Sequence, residues 1–311
     1  MLRANELRLP AAAPPLNGTR RTIFRRLADS PFGYRLLQGL GRYYGIEAVS
    51  AHGEFGLITG PLDDAAVLRS YLSHGYWARA ANQFFCDFFS HTDGGTYIDV
   101  GANLGLTTIP VAQNPRVACR AFEPAPRNFK YLWHNIAENC PHGNVGAVNA
   151  ALFDRQTTLD MAGDAWVFQN DPGDSYEESA ADTVRVRAER LDDVLALDQL
   201  PRPIAAKIAA HGAEGRVVAG GLEVLGAADA LVLEFDPGLI QDVDRNITVT
   251  TSFLARNFTT AAPLRGPDFE TGSGPETLVW RPIGVMIEQM HAVMENASTP
   301  GADYYYIYVR R

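Results

Sequence analysis

Hydrophobic and polar positions along the middle of the chain form a pattern typical of α/β proteins. Apolar runs with the length of buried strands are predicted at 97–100, 117–122, 144–151, 204–208 and 230–235. Helical spacing of apolar residues separates these runs, most clearly at 127–139 and 214–225. Apolar strands that alternate with helices form a parallel sheet covered on both faces. The predicted fold class is therefore α/β, with helices on both faces of the sheet.

The same pattern divides the chain into three parts. Residues 1–19 have no apolar period and are predicted to form a disordered arm. Residues 20–92 mostly follow a helical period, and they are predicted to form an N-terminal helical extension with a short strand at 55–59. The sheet domain is expected to occupy residues 93–311.

Two polar segments interrupt the predicted sheet domain. Residues 163–182 lie between predicted paired strands at 157–162 and 183–186, and residues 266–276 precede a final β-prone strand at 304–309. Polar segments of this length are candidate loops that cover a binding site. We expect these two segments to cover the substrate.

The turn after the first strand of the sheet domain carries the strongest chemical signal. Asp99, Gly101, Asn103 and Gly105 fall where this strand ends and a helix opens. Glycines at such a turn let the backbone approach a ligand closely. The dinucleotide pattern G-x-G-x-x-G would need a glycine at position 103, and acidic Asp99 suits a cationic ammonium group. This favours S-adenosylmethionine over NAD as the cofactor.

Glu123 ends the second strand, about 18 residues beyond Gly105. This is close to the separation at which an acidic side chain accepts hydrogen bonds from ribose hydroxyls in Rossmann sites. The alternative is that Asp99 and Glu123 are solvated carboxylates at strand ends and that the glycines only form a turn.

Longer stretches of the chain resemble the FkbM-type methyltransferases. The residues that carry the resemblance are YIDVGANLG at 97–105, AFEPAPRN at 121–128, Leu132, Asn135, Asn139, VNAAL at 148–152, VRAERLDD at 186–193, Lys207, Ile208, GAE at 212–214 and VLEF at 232–235. The resemblance implies a Rossmann-like class I methyltransferase sheet, S-adenosylmethionine as the cofactor, and O-methylation of a hydroxyl on a sugar or secondary metabolite. It also implies that Asn149 and Ala150 contact adenine, for which the alternative is ordinary tight packing.

The chain departs from the family pattern after the strand at 204–208. The family carries Lys-Ile-Asp, whereas this chain has Ala209 in place of the aspartate. Loss of that carboxylate could remove a substrate contact or a general base. His211 lies two residues further on and can accept a hydroxyl proton, so it is the predicted catalytic residue. The alternative is a structural or solvent-facing histidine.

Three acidic residues near the predicted strand ends are candidate substrate contacts. Glu214 follows Gly212 at the start of a helix, where a carboxylate can equally serve the helix dipole. Glu234 and Asp236 alternate along the end of the next strand, which puts both on one side of it. The alternative for these two is a pair of solvated carboxylates.

Composition narrows the partners. The formal net charge of −9 disfavours a sequence-independent nucleic-acid site, because phosphate binding needs clustered Lys and Arg. The three cysteines lack the spacing of a zinc site or disulfide framework, and no apolar run is long enough to span a membrane. We therefore expect a cytoplasmic protein with no nucleic acid partner and no metal, and the resemblance implies a small-molecule or glycan hydroxyl acceptor.

Two competing functions stay open on the sequence. One is a catalytically impaired Rossmann module that binds S-adenosylmethionine without turnover, suggested by Ala209. The other is an NAD-dependent oxidoreductase, which the glycine spacing disfavours.

Overall fold

The structure is a computed structural model that describes residues 27–162, 165–167, 183–239, 243–271, 278–296 and 305–311. The predicted arm at 1–19 lies outside the described residues. The strands are β1 (Ala48–Gly53), β2 (Gly56–Pro61), β3 (Gly95–Val100), β4 (Val117–Phe122), β5 (Val145–Val148), β6 (Ala151–Leu152), β7 (Thr157–Ala162), β8 (Ala165–Val167), β9 (Thr183–Glu189), β10 (Ile204–Ile208), β11 (Ala230–Phe235), β12 (Thr260–Arg265), β13 (Arg281–Pro282) and β14 (Tyr305–Arg310). The helices are α1 (Pro31–Tyr44), α2 (Val67–His74), α3 (Arg79–Ser90), α4 (Thr108–Ala112), α5 (Pro126–Asn139), α6 (Leu191–Val194), α7 (Glu214–Gly220), α8 (Leu222–Gly226), α9 (Val243–Asn257), α10 (Gly266–Thr271) and α11 (Ile283–Asn296), with a 3₁₀ turn at Leu197–Gln199.

The main sheet of the described chain has the strand order β13-β12-β14-β11-β10-β3-β4-β5. Strands β5, β4, β3, β10 and β11 pair in parallel, whereas β14 runs antiparallel between β11 and β12. The chain builds outward from β3 to β5 and then restarts on the other side of β3 at β10. Such a switch point opens a crevice at the carboxyl ends of the two central strands.

Helices cover both faces of this sheet because alternate strand residues point to opposite sides. Tyr97 packs with Phe84 and Phe85 of α3 in one apolar core, whereas the next residue, Ile98, belongs to the other core, formed with α7 to α9 and α11. The predicted Rossmann-like α/β fold class is confirmed.

The N-terminal extension contains helices and two strands, whereas the sequence pattern predicted helices and one short strand at 55–59. Strands β1 and β2 form an antiparallel hairpin that packs on α5. The outward backbone groups of β2 are bound by two side chains of that helix. Asn135 bonds the N–H and C=O of Thr59, and Asn139 bonds those of Leu57, at 2.8–3.0 Å. The apolar period of β2 was too short to identify its partner strand.

A second, four-stranded sheet with the order β6-β9-β7-β8 lies between β5 and β10 along the chain. The single strand predicted at 144–151 is therefore wrong. The main-sheet strand ends at Val148, and Ala151 and Leu152 pair with β9. Asn149 makes the break by donating to the carbonyls of Glu123 and Pro124 at 2.8 and 2.9 Å.

Two other predicted elements differ from the structure. The helix predicted at 214–225 is divided into α7 and α8, because Gly220 lies directly against the carbonyl of Phe153 and its glycine neighbour favours a break. The polar loop predicted at 266–276 begins as helix α10, whose Phe269 is buried. Most of the predicted loop at 163–182 lies outside the described residues. Within the described ranges, no helix has the length and apolar character needed to cross a bilayer.

Candidate functional site

A cavity opens at the carboxyl ends of β3, β4, β10 and β11, at the switch point of the main sheet. Its polar lining comprises Asn103, Glu123, Asn128, Lys207, His211, Glu234 and Tyr306. Its apolar lining includes Trp77, from the link between α2 and α3, and Phe269 of α10, which the sequence pattern assigned to the N-terminal extension and to a polar loop. The topology therefore brings residues that lie up to 239 positions apart in the sequence, from Val67 to Tyr306, to one crevice.

Asp99 does not reach this cavity, although the sequence predicts it as a cofactor contact. Its side chain is fully buried. One oxygen accepts from the hydroxyls of Thr107 and Thr108 at 2.7 and 2.6 Å, and the other accepts from Lys207 at 3.1 Å. Lys207 also donates to the carbonyl of Gly101 at 2.8 Å. The carboxylate and the ammonium together hold the turn that follows β3.

Gly101 and Asn103 form the turn at the mouth of the cavity, and both have left-handed backbone conformations with φ of +75° and +49°. A Cβ at Gly101 would overlap the carbonyl oxygen of Ala209, so only glycine fits there. Asn103 has a buried side-chain Oδ1 with no hydrogen-bond partner among the described residues. An orphaned acceptor beside a cavity is a place for a ligand donor.

Gly105 packs against helices, whereas Gly101 and Asn103 of the same turn line the cavity. It is not among the residues that line the cavity. Its Cα faces Leu132 of α5 and Ile109, and an added Cβ would lie 3.0 Å from Leu132. The structure thus gives this glycine a packing environment between the turn and the helices beneath it.

Glu123 lines the cavity at the end of β4, and only 4% of the residue is exposed. One carboxylate oxygen accepts from the backbone N–H of Asn103 at 2.8 Å, and the other accepts from that of Ala125 at 2.9 Å. Glu123 therefore joins the ends of β3 and β4 at the wall of the crevice.

Of the two predicted adenine contacts, Ala150 and Asn149, only Ala150 lines the cavity. Ala150 is buried and lines the cavity. Asn149 is exposed, does not line the cavity, and uses its amide to hold the backbone of Glu123 and Pro124. Ala150 thus forms part of the wall, whereas Asn149 fixes the segment that carries Glu123.

Ala209 and His211 follow β10 and both line the cavity. Ala209 packs its carbonyl against Gly101, so the position at which the family carries an aspartate lies on the cavity wall. His211 has a left-handed backbone with φ of +47° and an exposed side chain. It lies at the entrance of the site, in contact with solvent.

Glu214 and Glu234 form a buried acidic pair beside the cavity, with 4% and 5% exposure. Glu214 accepts from the backbone N–H groups of Ala210 and Gly212 at 2.8 and 3.3 Å. Burial and the charge of Glu234 raise the pKa of Glu214 to about 8. Neither carboxylate forms an ion pair within the part of the chain that the structure describes. At neutral pH the pair therefore holds a proton on Glu214.

Glu234 lines the main cavity, and its hydrogen-bond donor lies on the neighbouring antiparallel strand β14. Tyr306, directly opposite in the strand register, donates to one carboxylate oxygen at 3.1 Å. The other oxygen is buried and has no partner among the described residues. Phe269 stacks on Tyr306 with ring centroids 3.4 Å apart. Asp236, two residues on, instead binds the N–H of Gly238 at 2.8 Å and does not line the cavity.

Sequence reasoning located six of the cavity residues and missed others. Gly101, Asn103, Glu123, Ala150, His211 and Glu234 line it, whereas Asp99, Gly105, Asn149, Glu214 and Asp236 do not. The missed polar groups are Asn128, Tyr306 and Lys207, whose partner Asp99 is 108 positions away. A lysine within an apolar strand is a signal of a buried charge partner, but no local pattern indicates that β14 inserts beside β11.

Comparisons with known proteins add structural likeness only. No protein-family model matches the sequence, and no curated protein matches it. Similar solved structures include methyltransferase FkbM from Methylobacillus flagellatus KT, at 11% identity and a TM-score of 0.43, covering 75% of this chain and 48% of that chain. A second is TYW2 from M. jannaschii in complex with AdoMet, at 12% identity and a TM-score of 0.40, covering 85% of this chain and 85% of that chain. A third is TYW2 from P. horikoshii in complex with MeSAdo, at 13% identity and a TM-score of 0.40, covering 90% of this chain and 83% of that chain. The chain spans about half the length of the Methylobacillus protein.

Proposed function

We propose that this protein is an S-adenosylmethionine-dependent methyltransferase that acts on a hydroxyl group. The observation that carries the proposal is the crevice at the switch point, where the orphaned Oδ1 of Asn103 and the carboxylate of Glu123 lie on adjacent strand ends. These are acceptors, and the cofactor offers an ammonium group and two ribose hydroxyls as donors.

The residues of the crevice fit that cofactor one by one. Glu123 would accept from the ribose hydroxyls, as acidic residues do at this place in Rossmann sites. Asn103 would accept from the ammonium group through its orphaned oxygen. Ala150 would leave room for the flat adenine. Asp99 would act as a positioning residue, because it holds the turn without lining the cavity, and Lys207 lines the cavity while its ammonium group binds Asp99 and the carbonyl of Gly101.

When bound, S-adenosylmethionine supplies an electrophilic methyl group on a sulfonium. The residues of this chain then have two tasks, which are to orient the acceptor hydroxyl and to take its proton as the new O–C bond forms. The unpartnered oxygen of Glu234 is the proposed proton acceptor, since it is buried in the crevice and Tyr306 fixes the other oxygen. His211, exposed at the entrance, is the second candidate.

The acceptor is proposed to be a neutral hydroxyl compound, in line with the sugars and secondary metabolites that the resemblance implies. Trp77, Phe269 and Tyr306 give the crevice an aromatic wall. Aromatic faces pack well on the apolar faces of rings. The buried acidic pair would disfavour an anionic acceptor.

Calorimetric titration with S-adenosylmethionine and S-adenosylhomocysteine tests the cofactor, with NADH as the competing ligand. Asn103→Gly keeps the left-handed backbone and removes the side chain that carries the orphaned oxygen, and Glu123→Gln removes the charge. We expect each to weaken binding about tenfold or more, the value of a charged hydrogen bond of roughly 1.5–3 kcal/mol. Glu189→Gln is the matched control, because Glu189 is also buried but lies away from the crevice. NADH binding alone would reject the proposal.

Methyl transfer from radiolabelled cofactor to a panel of neutral hydroxyl compounds tests the proton acceptor. Glu234→Gln should abolish transfer and leave cofactor binding within about twofold, because the amide cannot take a proton. His211→Ala should retain transfer. Loss of transfer in His211→Ala but not in Glu234→Gln would assign the role to the histidine.

Ala209 on the cavity wall supports a second candidate, a module that binds the cofactor without turnover. Tight cofactor binding with no transfer to any acceptor class, in the wild type and in Ala209→Asp alike, would favour this candidate.

A further inference from the structure

Helix α1 has a solvent-exposed apolar stripe in addition to its buried face. Tyr34, Leu37 and Gly41 are buried against the rest of the protein. Four other large side chains of the helix are exposed to solvent. They are Phe32, Leu36, Leu40 and Tyr43, with exposed fractions of 80%, 47%, 45% and 81%. At 3.6 residues per turn, these four side chains fall within an arc of about 80°. They therefore form one continuous stripe, which we call the α1 stripe.

The exposure of the α1 stripe is unusual for a monomeric surface. Single exposed apolar residues are common, but a contiguous row of large side chains marks an interaction site. Tyr44, the last residue of α1, and Ile46, two residues beyond it, extend the row and are 69% and 47% exposed. The rings of Tyr43 and Tyr44 each carry a polar hydroxyl, and such side chains are suited to the boundary between an apolar phase and water.

The border of the stripe is cationic. Arg35 and Arg42 lie next to it on the polar side of α1, and both are exposed. Arg42 also lines a groove together with Arg127 and Lys130 of α5. The acidic residues of this groove are Glu47 and Asp63, of which Asp63 pairs with Arg127 at 2.6 Å. Cations thus outnumber acids along the edge of the stripe.

The N-terminal part of the sequence, up to the end of α1, is positively charged, whereas the remainder is strongly negative. The first 44 residues contain eight arginines against Glu6 and Asp29, a net charge of +6, whereas the whole chain carries −9. The remaining residues therefore carry a net charge of −15. An anionic surface would attract the N-terminal part of the sequence and repel the remainder.

We propose that the α1 stripe docks the protein on the surface of a membrane that contains anionic phospholipids. An interfacial helix buries its apolar face at the headgroup boundary and keeps its arginines at the phosphates. Charge complementarity favours this occupant over a second copy of the chain. Two copies paired through α1 would bring two cationic borders together. The inference is independent of the proposed methyl transfer.

Co-sedimentation of the full chain with vesicles tests the proposal without any variant. The protein should sediment with vesicles of phosphatidylglycerol mixed with phosphatidylcholine and stay in solution with pure phosphatidylcholine. Raising the ionic strength to about 1 M, which screens charges beyond ~3 Å, should weaken binding markedly. Failure to bind the anionic vesicles at low salt would overturn the proposal.

Two charge-matched double variants identify the surface. Phe32→Glu/Tyr43→Glu should lose vesicle binding by about tenfold or more, because two aromatic side chains no longer enter the interface. Leu222→Glu/Val279→Glu adds the same charge at exposed apolar sites 54% and 61% accessible elsewhere, and it should bind like the wild type. Circular dichroism and the melting temperature check that all proteins are folded. Equal loss in both pairs would reject the α1 stripe as the docking surface.

Light scattering separates lipid docking from self-association. The wild type and Phe32→Glu/Tyr43→Glu should have the same mass in solution. A wild-type dimer that this variant converts to a monomer would assign the stripe to a second copy and reject the lipid surface.

Discussion

At the scale of single residues, the ion pair of Asp99 and Lys207 is the group on which the candidate site rests. Both residues are buried, and removal of one partner leaves the other charge uncompensated. We expect Asp99→Asn and Lys207→Met each to lower the free energy of unfolding by roughly 3–5 kcal/mol. The double variant should lose less than the sum, as measured by urea denaturation in a double-mutant cycle. Additive losses would show that the two charges are not coupled.

The raised pKa of Glu214 makes the stability of the protein depend on pH. The folded state keeps the proton between the ordinary pKa of 4.5 and about 8, a range in which the unfolded chain has released it. The contribution of this group to stability is therefore complete at acidic pH and is lost as pH rises toward 8, by at most about 1.4 kcal/mol per pH unit. Urea denaturation across this range should show that Glu214→Gln removes the slope.

Glu223→Gln is the control for that titration. Glu223 is an exposed carboxylate on the neighbouring helix α8, so its removal should leave the slope unchanged. A Glu214→Gln variant with the wild-type pH dependence would show that the buried proton lies elsewhere.

Individual residues also show where sequence reasoning stops. The strand-end positions of Asp99 and Glu123 follow from local pattern, because Asp99 lies at the end of β3 and Glu123 directly follows β4. The partners do not follow from it. Asp99 is neutralised by Lys207 from a strand that is adjacent only in the folded sheet, and Glu234 acquires Tyr306 from an antiparallel strand near the C-terminal end of the chain. Long-range pairing decides whether a carboxylate faces a ligand or the core.

At the scale of elements, the turn between β3 and α4 depends on close approach to the segment after β10. Gly101→Ala would place a methyl group on the carbonyl of Ala209, in addition to the left-handed strain. We expect a loss of unfolding free energy well above the roughly 1–2 kcal/mol that the left-handed conformation alone costs. Urea denaturation measures this loss, and calorimetry should show that cofactor binding is weakened with it.

Gly143→Ala is a matched comparison for the turn. Gly143 has a similar φ of +65°, but nothing lies within 4 Å of an added Cβ. It should show only the conformational cost. If the two variants lose equal stability, the contact between Gly101 and Ala209 is not tight.

Elements with a strong local signal were predicted closely, whereas those defined by distant contacts were not. The bounds of β4, β10 and β11 follow from apolar runs between turns. The break between α7 and α8 at Gly220 and Gly221 does not follow from the local pattern. It depends on the backbone carbonyl of Phe153, which lies directly against Gly220. Strand β12 was missed since its pairing with β14, rather than its own pattern, makes it a strand.

At the scale of the whole molecule, the N-terminal extension and the sheet share one core. Phe84, Phe85 and Phe89 are almost fully buried, and Phe85 packs on Tyr97 of β3 at 4.8 Å between ring centroids. A chain that begins at residue 93 would expose this face of the sheet. We expect it to be insoluble or to lack the cooperative thermal transition that the full chain should show. A cooperative transition in the shorter chain would make the sheet an independent domain.

The side chains of Asn135 and Asn139 have a consequence beyond the packing of the hairpin. An open strand edge invites another chain to pair with it, which is how many proteins begin to aggregate. Here the outward backbone groups of Leu57 and Thr59 are already occupied by amides on helix α5. Two asparagines one helical turn apart thus take the place of a neighbouring strand, and they keep the hairpin of one molecule from serving as a template for the next.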